Sequence, residues 1–272
     1  MISAERIPQE IELRGLDCNL VNRTYGTTGL VSELELPVQR TVAWRDVAVA
    51  FPNFEDAAAF GYKLALAQGI EKKLVAVVDA TLAGFFRPLA GLADGSCYAL
   101  LMVAPAALTA TRELARAHGG RFVIETDSAE AEANQSALYE LTWNHSTLQV
   151  LKQDRSVTYT QTLYPSANVL ESVAAMRAQF GPELMTHLEF IRFEGAVTCS
   201  GLPVIRFTTP ERLQEIAAIH EAAGVFIANP HVVTLEDGSR HKRVPGDQLG
   251  FKRRVDPQGL LNPGKMRSFV AA

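Results

Sequence analysis

Cysteine is scarce. Cys18, Cys97 and Cys199 stand far apart and form no Cys-x-x-Cys pair, which excludes a disulfide framework and a thiolate metal site and leaves buried, reduced thiols as the expectation. There is no His-x-His and no His-Glu-x-x-His, so no metal is expected. No run approaches the roughly 18 apolar residues that span a bilayer. The start, MISAERIPQEIELRG, carries charges where a signal peptide needs an apolar stretch, so a cytoplasmic protein is expected. Positive charge is not in excess either: the net charge is −4 and no basic stripe occurs, which argues against nucleic acid as a partner. With 47% hydrophobic and 21% charged residues among 272, the composition is that of one large or two ordinary domains.

What is present is an alternation of short β-rich runs and amphipathic helices. Val31 to Val38 (VSELELPV) alternates apolar and acidic residues as a half-buried strand does, and Trp44 to Phe51 reads as another strand. Asn53 caps a helix from Phe54 to Gln68, with Ala57, Phe60, Leu64 and Ala67 at helical spacing, and Leu74 to Asp79 completes a β-α-β unit. Tyr98 to Ala104, a helix from Pro105 to His118 stopped by Gly119-Gly120, and Arg121 to Glu125 repeat the grammar. In the second half, Val157 to Leu163 is a strand, and a helix runs from about Asn168 to Phe180. Thr186 to Phe193 and Pro203 to Phe207 are strands joined by a Gly-containing connection. Pro210 opens a helix to Ala223, and Val225 to Ala228 closes the set.

Two successive β-α-β sets with antiparallel returns predict an α+β fold, a duplicated ferredoxin-like domain with an antiparallel sheet. No strong sequence repeat accompanies this structural one. Residues 39–244 form that domain, while 1–38 and 245–272 lie outside the pattern as extensions that dock elsewhere.

Two motifs stand out. Tyr25-Gly-Thr-Thr-Gly-Leu-Val-Ser-Glu33 places two glycines three apart before the first strand, so the backbone can approach a ligand and present N–H groups; a tight turn entering a strand explains the same residues. It is not a phosphate P-loop, because no Lys follows the second Gly. Asp256-Pro-Gln-Gly-Leu-Leu-Asn-Pro-Gly-Lys265 reads as an extended, rigid tail, pinned against something by two Pro-Gly turns.

Together, in this order, these motifs resemble the FAD-linked oxidases and dehydrogenases of the vanillyl-alcohol-oxidase superfamily, of the glycolate oxidase and D-lactate dehydrogenase types. The first is similar to that family's Gly-Thr-x-Gly-Ile-Val-Thr-Glu segment, which closes the FAD-binding domain. The second is similar to its C-terminal signature. The resemblance implies an oxidoreductase that removes hydride from a CH–OH carbon of a hydroxy acid or alcohol and passes it to flavin. It also implies that residues 1–38 are only a remnant of the FAD-binding domain, 39–244 the substrate-binding cap, and 245–272 a tail returning to the FAD domain. The dinucleotide-wrapping part is expected to come from a missing domain or a partner chain, and this chain alone is expected to hold FAD weakly or not at all.

On the same resemblance, Tyr25, Gly26, Thr27, Gly29, Leu30, Asn262 and Lys265 would touch the cofactor. His231 stands near the family's Glu-His-Gly and would act as acid/base, although Pro230 and Val232 depart from that pattern. Trp143, His145 and Lys152 would contact substrate, the last two standing in for an Arg that relatives carry after the Trp. Each also has a plain structural reading, a capped helix end for Trp143 to Thr147 and a backbone-satisfied imidazole for His231. Relatives that bind a divalent cation do so through two histidines seven apart, a spacing absent here. Ser239 to Arg243 reads as a solvated basic loop. The rival reading is a non-catalytic ferredoxin-like module that binds or senses a small molecule.

Overall fold

A computed structural model of the chain describes residues 1–92, 95–240 and 242–271. It divides into two compact units, Thr41–Ala228 and Met1–Arg40 with Asn229–Ala272.

In Thr41–Ala228 the apolar runs become strands and the amphipathic ones helices. Strand β1 (Arg45–Phe51) leads to helix α1 (Phe54–Leu66), whose start is fixed by the Asn53 side chain accepting the Asp56 amide at 2.9 Å. Such a cap is worth about 1 kcal/mol. Then follow β2 (Lys72–Val78), a short helix α2 (Ala80–Ala83), β3 (Cys97–Val103), α3 (Leu108–Ala117) and β4 (Arg121–Asp127). Two short helices, α4 (Ser128–Ala133) and α5 (His145–Leu151), precede β5 (Val157–Tyr159) and β6 (Gln161–Leu163). The rest is α6 (Val169–Phe180), β7 (Leu184–Met185), β8 (His187–Phe193), β9 (Ala196–Gly201), β10 (Val204–Arg206), α7 (Pro210–Ala222) and β11 (Phe226–Ala228).

The fold is mixed helix and antiparallel sheet. Eight strands run in the order β11-β6-β9-β8-β2-β3-β1-β4, and β5-β10-β7 make a second, three-stranded sheet. The connection strand–helix–strand–strand–helix–strand occurs twice, through β1, β2, β3, β4 and through β6, β8, β9, β11. In each half the spatial order is fourth, first, third, second, and the second strands β2 and β8 join the halves. The Asp79 carboxylate ties this seam, accepting the Thr186 amide at 2.5 Å and the Leu82 amide at 2.8 Å.

Helices α1, α3, α6 and α7 cover one face along its whole width, through Phe60, Leu64, Ala115, Val173, Phe180 and Ile216. The other face is covered over the first half, where Ala48, Ala76 and Leu100 pack against Leu82, Phe86, Leu89, Leu138 and Val150, and at the His187–Glu189 end of β8, while the outer strands of the second half stay open. Residues packed directly against each other gain roughly 1.5–3 kcal/mol per large apolar side chain buried.

Several sequence expectations are corrected. Val31 to Val38 is not a strand: it makes no strand pairing among the described residues, and Leu36 is 70% exposed. An alternating pattern specifies a face, but a strand needs a neighbour's N–H and C=O groups. The run Val157 to Leu163 splits at Thr160, β5 pairing with β10 and β6 with β9 and β11. Strand β9 lies inside what reads as a connection, and the first turn after Pro105 is 3-10 rather than α-helical. Cys97 and Cys199 are buried, whereas Cys18 is exposed.

The unit of Met1–Arg40 with Asn229–Ala272 holds a 3-10 turn, Gly15–Leu20, and one helix the sequence did not announce, α8 (Gly246–Val255). Its sequence GDQLGFKRRV carries no apolar stripe, only Phe251 and Val255 as buried apolar anchors beside the buried Lys252. Ile2 and Leu30 exchange main-chain hydrogen bonds at 2.8 and 2.9 Å, and the Ala4 amide donates to Val255 O at 2.6 Å. Among the described residues no helix is long and apolar enough to cross a membrane.

Candidate functional site

The two motifs meet within one unit. Tyr25 and Gly26 turn the chain through left-handed backbone, φ 52° and 66°, which a non-glycine residue such as Tyr25 adopts only when surroundings hold it. What holds it is Asn262, 237 positions on, whose Nδ2 donates to Tyr25 O at 2.6 Å and Gly26 O at 3.3 Å. A Cβ on Gly26 would stand 2.8 Å from that Nδ2, and one on Gly29 would run into Met1.

The remaining main-chain and hydroxyl groups of the turn are largely satisfied internally. Thr27 donates its amide and its hydroxyl to Thr24 O, at 3.0 and 2.7 Å, and the Thr24 and Thr28 hydroxyls are 2.8 Å apart. The amides of Gly26, Thr28 and Gly29 make no hydrogen bond among the described residues. These three are main-chain donors of the turn that a ligand could engage.

Asn262 is placed by a second device. The Asp256 carboxylate is fully buried, paired with the buried Lys252 ammonium one helical turn back, and accepts the amides of Leu260 and Leu261 at 2.9 and 2.8 Å. Burial disfavours its charge, but the Lys252 ammonium and the two amides outweigh that and hold its carboxyl below the usual range. The segment 256–265 is therefore not extended but wrapped in turns around one carboxylate. Asn262 itself sits at φ 43°, and Lys265 donates its amide to Asn262 O at 3.2 Å. Lys265 O in turn accepts the Leu235 amide at 2.8 Å, and Glu236 accepts both Ser268 groups, at 2.9 and 2.8 Å. His231 belongs to the same unit and is exposed, its amide donating to Asn229 Oδ1 at 2.9 Å. His241 lies outside the described residues.

Trp143, His145 and Lys152 belong to the other unit, on the segment that precedes and forms α5. Trp143 has φ 50°, is 37% exposed, and stacks on Tyr139 with centroids 5.6 Å apart. Its amide donates to the Glu189 carboxylate of β8. His145 Nδ1 is 3.2 Å from Glu140 Oε2, close enough for an ion pair but off the hydrogen-bond line. Lys152 is not with them: it stands past the far end of α5, roughly 10 Å along the axis at 1.5 Å per residue, donating to Gln149 Oε1 at 2.8 Å.

Sequence reading missed the residues beneath Trp143. His187 is fully buried, with Nδ1 2.9 Å from Ser146 Oγ and Nε2 3.2 Å from Glu189 Oε1. By register, Glu189 stands in one row with Ser200, Leu163 and Phe226 on the uncovered face of the second half. That face carries a hollow of about 270 Å³ lined by Leu163, Phe193, Thr198 and Phe226 among others. The only advance sign was the alternation of His187 and Glu189 along a strand, whose partners lie more than 40 positions away.

No family description and no characterised protein sequence matches the chain. Solved structures do share its fold. An alkyldihydroxyacetonephosphate synthase, solved in space groups P212121 and P1, superposes with TM-scores of 0.62 and 0.58 at 13% and 14% identity. The matches cover 95% and 88% of this chain but 52% and 47% of that one, so the chain spans about half the length of these structures. A xylooligosaccharide oxidase from Myceliophthora thermophila C1, in complex with xylobiose, has a TM-score of 0.45 at 13% identity over 79% of this chain and 53% of its own, too low to carry an argument. At these identities the likeness concerns the fold.

Proposed function

We propose that this chain is the substrate side of an FAD-dependent oxidoreductase that oxidises the CH–OH carbon of a hydroxy acid or alcohol, with most of the cofactor site supplied by another domain or chain. The observation that carries the reading is the Asn262 hydrogen bond to Tyr25 O at 2.6 Å: the two stretches that resemble the family's flavin-contacting motifs are locked together by side chain and backbone. The fold shared with the synthase supports it. The strand order, fourth-first-third-second in each half, supports reading Thr41–Ala228 as a duplicated ferredoxin-like cap.

The residues present fit one edge of a dinucleotide site and not its enclosure. Free amides at Gly26, Thr28 and Gly29 suit an anionic or carbonyl oxygen, but Leu30 has already spent its amide and carbonyl on Ile2. A bound flavin would accept the substrate hydride. In this reading Tyr25, Gly26, Thr27, Gly29, Leu30, Asn262 and Lys265 shape that edge. His231, exposed beside Asn229, exchanges a proton with substrate, and Trp143 and His145 line the substrate side. Lys152 has the weakest claim, standing away from Trp143. Residues 1–38, 39–244 and 245–272 then act as FAD-domain remnant, cap and returning tail.

The test is co-expression with a polypeptide carrying a Gly-rich flavin-wrapping domain encoded beside this one. The expected result is a yellow complex that co-elutes and bleaches with substrate. Two colourless proteins eluting apart would sink the proposal and favour a free-standing ligand-binding module.

A further inference from the structure

Glu189 is the acidic side chain of an otherwise neutral strand surface. Counting by register, the strand residues on this face of the second half are Phe226, Ala228, Gln161, Leu163, Ser200, Thr198, Ala196, Phe193, Ile191, Glu189 and the buried His187, with no Lys or Arg among them. Arg192 alternates to the opposite face, and Lys152 stands beyond the far end of α5.

Glu189 is also held ready. Its side chain is 12% exposed. One oxygen, Oε1, receives the Trp143 amide and lies 3.2 Å from the buried His187 Nε2. The other, Oε2, makes no hydrogen bond among the described residues. His187 is fixed in turn by Ser146 Oγ at 2.9 Å, so the carboxylate cannot swing away without breaking a buried chain of contacts. Trp143 keeps an unfavourable left-handed backbone to make its part of this arrangement, at a cost of order 1–3 kcal/mol.

We infer that Glu189 is the specificity-determining residue of this face, and that it binds a neutral, hydroxyl-bearing ligand such as a polyol or sugar while rejecting a carboxylate. Oε2 accepts a ligand O–H, and Ser200, whose own hydroxyl donates to Thr162 O at 3.1 Å, keeps lone pairs for a second O–H. The hollow at Leu163, two strands from Glu189 or about 10 Å by strand spacing and lined by Phe193 and Phe226 together with Thr198 and Glu194, receives the far end of the ligand. A carboxylate ligand would meet Glu189 with no Lys or Arg among the described strand residues of this face to offset it, and like charges this close are repulsive. The inference rests on the proposed function, in which Trp143 lines the substrate side, extends that side to the Glu189 carboxylate that Trp143 touches, and within it chooses alcohol over hydroxy acid.

The experiment is a pair of amide NMR titrations of the full chain, one with xylitol and one with glycolate. The expected result is that xylitol shifts Leu163, Ser200 and the Trp143 indole, with glycolate at least about tenfold weaker at the same signals. Glu189→Gln, which keeps an acceptor for the Trp143 amide, should weaken xylitol by about tenfold and remove the discrimination against glycolate. Glu189→Asp, which restores the charge, should recover the discrimination in the same folded spectrum. Glycolate binding these signals as tightly as xylitol in the unmutated chain overturns the choice of ligand class and leaves the substrate-facing role of the surface standing. Signals that stay still with both probes, or shifts confined to other surfaces, overturn both.

Discussion

Along the row Phe226–Leu163–Ser200–Glu189–Ala76–Leu100–Ala48–Ile124, which crosses all eight strands, Ala76, Leu100 and Ala48 are sealed while Phe226 is 42% exposed. The two halves of the sheet share their connections and differ in what covers the second face. In the first half the link between its second and third strands runs from residue 79 to 96 and brings Leu82, Phe86 and Leu89 over the sheet. In the second half the same link is Glu194-Gly195, with φ 49° and 83°, a tight turn of two left-handed residues that leaves nothing to spare. Repeating an architecture does not repeat its surface. A long link at one hairpin, joined by the segment that carries Leu138 and Val150, makes one half a sealed core and leaves the other with a surface able to meet a ligand.

The largest test of that contrast is Leu100→Ala. It should lower stability by about 2–5 kcal/mol in urea unfolding, because a fully buried side chain leaves a cavity on the covered face. Asp46→Ala comes next. This fully buried carboxylate of β1 accepts the Ser128 hydroxyl and, at 2.8 Å, the Leu138 amide, so it fastens the cover over the first half. Leaving those groups unpaired should cost about 1–3 kcal/mol, with proteolysis opening first within 128–151. Gly195→Ala, placing a Cβ at φ 83°, should cost about 1 kcal/mol while leaving first-half amide exchange unchanged.

A pH effect in mild acid, above the carboxyl range, should centre on the second half. Burial lowers the pKa of His220 below the ordinary 6.5, partly offset by Ile216 O at 2.8 Å, and its ring stacks on Phe180. A group whose folded pKa is depressed leaves the unfolded chain to bind the proton first. The stability it contributes is therefore present above about 6.5 and lost as pH falls towards the folded value. Amide exchange in α7 and β11 should rise in mild acid before exchange in β3, and His220→Leu should flatten that response. Phe226→Ala closes the series with less than about 1 kcal/mol; a loss as large as that of Leu100→Ala would mean the second half is sealed after all.

Much of this was legible from residue order. Period and punctuation located β1 through β4, α1, α6 and α7 to within a few residues, because each carries its own apolar face and its own stop. The pairing of β6 with β9 was not, since a six-residue strand with Gly, Ser and Cys in it has no period of its own and exists because β8 and β6 flank it. Strand character at Val31 to Val38 was overread for the converse reason: the pattern is there and the hydrogen-bonding neighbour is not.

The candidate site divides the same way. Both motifs were visible, since Gly, Pro and Asn at fixed offsets announce turns wherever they occur. Their union through Asn262 was not, nor the burial of Lys252 with Asp256 that positions it. Glu189 was invisible for a plainer reason: a carboxylate in a strand gains its meaning from Trp143 and His187, which only folding brings to it. Sequence alone settled most local choices, helix or strand, cap or turn, wherever a segment carries its own period and stop, because those are made between residues a few bonds apart. Tertiary structure alone decided which face stayed open and which charge was left facing it, because burial and pairing are properties of neighbours that the chain order does not name.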